Sequence, residues 1–175
     1  MSKKECGDNM FDPTAFDNLK TVLEGTVYDR DLDGTIKIKT RSDQVDIATL
    51  CRSFTLTFYV DEDVFEADMN LYADLKKLSA ELLPDTQGNE AGAAISIVFR
   101  KYGVEWTDKE LSVLSEQWGE NRCYDIRKIS STRNQDYCEA IVRFERTITE
   151  DMLRDIEDMV YFVIETLDFL EGKKQ

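Results

Sequence analysis

The stretch Asp29-Arg30-Asp31-Leu32-Asp33-Gly34-Thr35-Ile36 sets three carboxylates at alternate positions, then a glycine, then an apolar residue. Calcium is held by oxygen ligands, and a loop that wraps it offers them at its first, third and fifth positions. Such a loop turns on a glycine at the sixth and anchors on an apolar residue at the eighth. All of these are present, so calcium is the cofactor to weigh, with Asp29, Asp31 and Asp33 as its ligands. Other chemistry is scarce. Histidine is absent, which removes Ser-His-Asp and Cys-His pairs, imidazole-bound zinc or haem, and an imidazole pH switch. Ser53, Ser96, Ser130 and Ser131 stand in no GxSxG or SxxK setting. Cys123, beside Arg122 and near Arg127, has the best placed thiol for a lowered pKa. No nucleotide-binding, kinase or HExxH pattern occurs. The expectation leans away from an enzyme, with no catalytic residue assigned.

The acidic stretch resembles the first two-thirds of an EF-hand-type calcium loop, over about twelve residues. It departs from that pattern at Thr40, where a bidentate Glu should close the coordination sphere, and in Thr35–Lys39, which alternates like a strand instead of forming an exit helix. Lys37 and Lys39 also bring positive charge to the supposed ion. An acidic β-turn with solvated aspartates is the plainer reading of the same residues. Asp61, Glu62, Asp63, Glu66 and Asp68 form a second acidic cluster. Paired carboxylates can hold magnesium or do acid–base work, but the helix dipole selects acids for a helix N-terminus in any case.

Charge limits the partners. The 175 residues carry 36 Asp and Glu against 22 Lys and Arg, a net charge of −14. Binding nucleic acid or an anionic membrane needs the reverse balance. An acidic surface can instead mimic nucleic-acid phosphates and bind a basic protein, which is a third functional reading. No run approaches the roughly 18 apolar residues of a membrane span, and Met1-Ser2-Lys3-Lys4-Glu5-Cys6 is followed by no apolar signal segment. A cytoplasmic protein is expected. Cys6, Cys51, Cys123 and Cys138 are widely spaced and are expected to be reduced thiols. Residues 122–146 are locally basic, a strand pair suited to an acidic partner or to pairing with acids of its own sheet.

These residues need elements to hold them. Residues 1–11 are expected to be a flexible terminus and 12–175 one domain, with 84–92 as the sub-boundary. Asp12-Pro13 opens a helix that Gly25 closes. Strand-like Thr26–Tyr28 and Thr35–Lys39 flank Asp33-Gly34, a hairpin signal. Residues 54–60 alternate as a strand. Phe65, Met69, Tyr72, Leu75, Leu78 and Leu82 recur at three and four, which predicts a helix from 61 to 83. A strand follows at 94–100 and a capped helix after Thr107. Strands come next at 124–127 and 137–145, then a helix from Thr149 to about Leu170. The fold expected is α+β, a mainly antiparallel sheet with helices packed on it, the second half ferredoxin-like in element order.

The last helix is apolar around much of its circumference, more than one sheet face needs. Ile156, Val160, Val163, Ile164 and Leu167 are therefore the expected interface of a homodimer. The leading functional expectation is a small, acidic, non-catalytic protein–protein interaction or regulatory module. Calcium binding through residues 29–34 and nucleic-acid mimicry are its alternatives.

Overall fold

The structure, a computed structural model, describes residues 14–61, 64–80, 90–103, 105–119, 122 and 124–173. Helix α1 (Thr14–Leu32) leads into β1 (Lys37–Asp46), β2 (Cys51–Tyr59) and β3 (Phe65–Ala73). A short α2 (Leu75–Ala80) precedes β4 (Ala93–Tyr102), α3 (Asp108–Trp118) and β5 (Asp125–Ile129). Then come β6 (Tyr137–Ile148), a 3-10 turn (Glu150–Met152) and α4 (Leu153–Leu170). The strands form one sheet in the order β1-β2-β3-β4-β6-β5, with every neighbouring pair antiparallel. This is the α+β fold expected, and the second half runs strand, helix, strand, strand, helix, with β6 inserted between β4 and β5. The sub-boundary at 84–92 does not divide the sheet, because β3 and β4 on either side of it pair directly.

Strand alternation sorts side chains between two faces. Phe54, Leu56 and Phe58 of β2, Ala67, Met69 and Leu71 of β3, Ile97 and Phe99 of β4 and Ala140 of β6 share one face and are wholly buried. Helices α1 and α4 cover it, burying Phe16, Leu19, Leu23 and Val27 from one and Ile156, Val160, Val163 and Leu167 from the other. The two helices lie side by side and run the same way. Asn18 donates to Glu150 at one end, and the Arg30 guanidinium stacks 5.5 Å from the Tyr161 ring near the other.

Helix α3 completes the layer. Thr107 and Glu110 form the reciprocal capping box expected from the sequence. The buried Lys101 amine then ties that end to the sheet, donating to both Glu110 carboxylate oxygens at 2.8 Å. At the far end Trp118 packs against Phe99, Phe144 and Phe162, and its Nε1 donates to Thr166 Oγ1 at 3.1 Å. Among the described residues no helix is long and apolar enough to cross a membrane.

Two expectations for the first half fail, each for a physical reason. The first helix does not stop at Gly25, and Thr26–Tyr28 is not a strand. Gly25 lies inside α1, and the chain leaves the helix at Gly34, whose φ of +82° is the left-handed conformation a C-terminal glycine supplies. Residues 61–83 are not one long helix either. Phe65, Ala67, Met69, Leu71 and Ala73 alternate as a central strand, flanked on both sides by β2 and β4. Their helix-favouring composition gives way to two ladders of tertiary pairing. The expected caps at Asp12-Pro13, the residues Glu62 and Asp63, and most of the 84–90 loop lie outside the described residues.

Candidate functional site

The face of the sheet opposite the helices carries the other half of each alternation. On β3 these are Glu66, Asp68, Asn70 and Tyr72; on β4, Ser96, Val98, Arg100 and Tyr102; on β6, Tyr137, Glu139 and Arg143. Helices α1, α3 and α4 pack on the other side, against the apolar face. Register makes Arg100 the direct neighbour of Glu66 on one side and of Glu139 on the other. Its guanidinium bonds Glu66, and reaches Asp68 Oδ2 at 2.8 Å and Glu139 Oε1 at 3.2 Å.

The Glu66 carboxylate accepts from three donors on two other strands, β1 and β4. Besides Arg100, it accepts from the Lys39 amine at 2.6 Å and from the Tyr102 hydroxyl at 2.7 Å. Lys39, next in the chain after Ile38, falls on this face by alternation, and the bulge between Ile38 and Thr40 then sets Thr40 on the same face. Rings close the lattice. The Lys39 amine lies 4.7 Å from the Tyr102 ring centroid, and the Arg100 guanidinium lies 5.2 Å from that of Tyr137. Smaller hydroxyl and amide pairs extend the surface towards β1 and β2, with Thr40 donating to Thr57 at 2.8 Å and Thr55 to Asn70 at 2.7 Å.

Two neighbouring carboxyls diverge in this lattice. Burial pushes the Glu66 carboxyl up, but the bonds from Lys39, Tyr102 and Arg100 outweigh it and hold the group below the usual range. Burial raises the Asp68 carboxyl, and the Arg100 charge offsets only part of that. Asp68 Oδ1 is buried without a hydrogen-bond partner. Burial opposes the Arg100 charge, yet its carboxylate neighbours win and drive its pKa further up. A guanidinium committed to three carboxylates and a carboxylate already accepting from three donors have little freedom to move a proton to a ligand. The arrangement is a fixed pattern of charge and aromatic rings, and Tyr and Arg are the residues that anchor protein interfaces.

The acidic loop is arranged differently. Asp29 and Asp31 sit in the last turn of α1, and Asp33 lies just beyond it. Asp33 Oδ1 accepts from the Thr35 amide at 2.9 Å, while its Oδ2 pairs with Arg30 at 2.9 Å. The bonds to Thr35 lower its carboxyl. Asp31 Oδ1 instead accepts from the Ile38 amide at 3.2 Å, at the start of β1. The carboxylates thus close the helix-to-strand turn, and no group of three His, Cys, Asp or Glu that could hold a metal occurs among the described residues.

The remaining sequence candidates are scattered. Ile156, Val160, Val163, Ile164 and Leu167 are buried in the core of the single chain, so a second copy would not find them on the surface. Most of the basic residues on β5 and β6 pair with acids: Arg127 and Arg143 with Asp125, Lys128 with Glu105, and Arg146 with Asp155. Arg122 stacks 4.5 Å from the Phe144 ring. Cys51 and Cys138 are free thiols, half-buried and buried; Cys6 and Cys123 lie outside the described residues.

The sequence alone did not single out Arg100, Tyr102 or Glu139, and marked Lys39 only as a charge near the acidic loop. Arg100 was within reach, because the alternation of Ile95, Ile97 and Phe99 puts it on the opposite face. Its partners Glu66 and Asp68 were hidden by their assignment to a helix. Comparisons with protein-family models, curated proteins and solved structures gave no match.

Proposed function

We propose that the protein is a non-catalytic protein–protein interaction module that engages its partner through the uncovered face of the sheet. The supporting observation is the unequal treatment of the two faces. The helices cover one, while the other carries an ordered lattice in which Glu66 is buried and Lys39, Tyr102 and Tyr137 stay at least partly exposed around it, with no helix over it among the described residues. Rings and guanidinium groups already held in place lose little side-chain freedom when a partner docks. Photo-crosslinking in the native cell tests this. A photoreactive side chain at Tyr72 or Thr55 should give a discrete protein adduct that Arg143→Glu weakens. Adducts from the helical side alone would overturn the reading.

A second reading rests on where the acids lie. Helices α1, α3 and α4, with the 3-10 turn, carry 14 acidic and 4 basic side chains, whereas the six strands carry 7 and 10. Such a layer suits a basic partner, as nucleic-acid mimicry would. Adducts from Glu157 on the outer side of α4 that disappear with added salt would favour it over the first.

A further inference from the structure

Strand β1 forms one edge of the sheet, with β2 as its only strand neighbour among the described residues. Beyond the bulge, Thr40–Asp46 pair with Thr57–Cys51 in unbroken register, leaving a regular outer edge. Sheet edges offer unpaired backbone groups to any strand that fits, and side-chain charge decides which strands those are. Here the charge is ordered. Lys37, Lys39 and Arg41 come first, then Asp43 and Asp46. Arg41 and Asp43 lie on the helix-covered side, where Arg41 bonds Glu24 and Asp43 accepts from Lys20 at 2.7 Å and from Arg52 at 3.2 Å.

We infer that a second copy of the chain pairs along this edge, β1 to β1 and antiparallel, about a two-fold axis at Ser42. Two sheets of six strands then become one of twelve. In this register Arg41 stands opposite Asp43 of the second copy, and Asp43 opposite its Arg41. Thr40 faces Gln44, and Val45 comes to lie beside Ile38, which shares its face.

Neighbouring registers are excluded by the same residues. A slip of one position opposes side chains that point to different faces. A slip of two sets either Arg41 against Arg41 or Asp43 against Asp43, and like charges directly opposite one another destabilise a pair. The exposure of Val45 (63%) and Ile47 (82%) on this hairpin adds apolar surface for the second copy to cover. The dimer uses an edge and leaves the uncovered face free, so it stands independently of the partner proposed above.

Sedimentation equilibrium of the full chain, from micromolar to high micromolar concentration, tests the inference. The wild type should approach the dimer mass. Arg41→Glu and Asp43→Lys, each checked for folding by circular dichroism, should each weaken dimerisation about tenfold or more, through two lost pairs and two new repulsions. An equimolar mixture of the two variants should recover the dimer, because every charge then meets its opposite across the axis. Should either charge variant fail to fold, Val45→Lys at the same exposed edge should also weaken the dimer. A wild type that stays monomeric, variants that dimerise as the wild type does, or a mixture that recovers nothing would each overturn the inference.

Discussion

Phe99 and Arg100 are consecutive residues of β4, yet they belong to opposite worlds. Phe99 has no exposed surface and packs under Trp118, whose ring centroid lies 5.9 Å away. One peptide further on, Arg100 binds three carboxylates on a face that no described helix covers. Both faces are ordered, by different means. The covered face is organised by apolar area removed from water, which is non-directional and tolerates changes that conserve volume. The uncovered face is organised by directional bonds between charges, where each partner depends on the others. A sheet held in this way has its side chains fixed on both faces.

The comparison can be broken by substitution. Phe99→Ala should cost the most, on the order of 4 kcal/mol, from the cavity it leaves. In urea titrations that loss should be nearly the same at pH 7 and at acid pH. Arg100→Met should cost roughly 3 kcal/mol at neutral pH, because it strands buried carboxylates. Its cost should shrink as pH falls below about 4 and those carboxylates take up protons.

Sign matters within that window. Glu66, with its pKa lowered on folding, contributes stability above the usual carboxylate range and loses it as pH falls through the lowered value. Asp68, raised on folding, costs stability as pH rises past its unfolded value. Glu66→Gln should therefore reduce the acid-side fall in stability and Asp68→Asn should steepen it, as followed by thermal melts across pH. If Arg100→Met were as insensitive to pH as Phe99→Ala, the contrast between the faces would collapse.

Smaller effects sharpen the picture. Trp118→Phe keeps most of the ring packing but removes the bond to Thr166, and should cost about 1 kcal/mol in the same titrations. Gly25→Ala should stabilise by about 0.5 to 1 kcal/mol, since it sits inside α1 and an added Cβ meets nothing within 4 Å. Asp33→Ala, which loses the turn bonds to Thr35, should lower the melting temperature only slightly.

Much of the covered face could be read in advance. The strands at 54–60 and 94–100, the capping box at Thr107 and the final apolar helix all follow from local spacing, because burial on one side imposes a period. The uncovered face was mostly hidden. Its residues are polar, so no hydrophobic period marks them, and the lattice joins β1, β3, β4 and β6 across long stretches of sequence. Only register brings Glu66 to Arg100 and Arg100 to Glu139. The β3 segment was hidden for a further reason. Ala67, Met69 and Leu71 favour a helix locally, and only neighbours on both sides reverse that preference. Gly25 and Gly34 differ similarly. Either could end the first helix by its position, and only the backbone after Gly34 bends back to start a strand.

The side-by-side packing of α1 and α4 has a consequence for synthesis. Among the described helices α1 is made before α4, and the two share one core, so Leu19, Leu23 and Val27 must wait for Val160, Val163 and Leu167 before their surfaces are sealed. During translation the growing chain carries an exposed apolar stripe for most of its length, at an elongation rate of about 5 to 20 residues per second. Strands β1 to β3 can pair earlier, but the layer that shields them closes only when α4 leaves the ribosome. Folding of this chain is expected to finish as a single late event, and during the seconds before it the nascent protein most needs shelter.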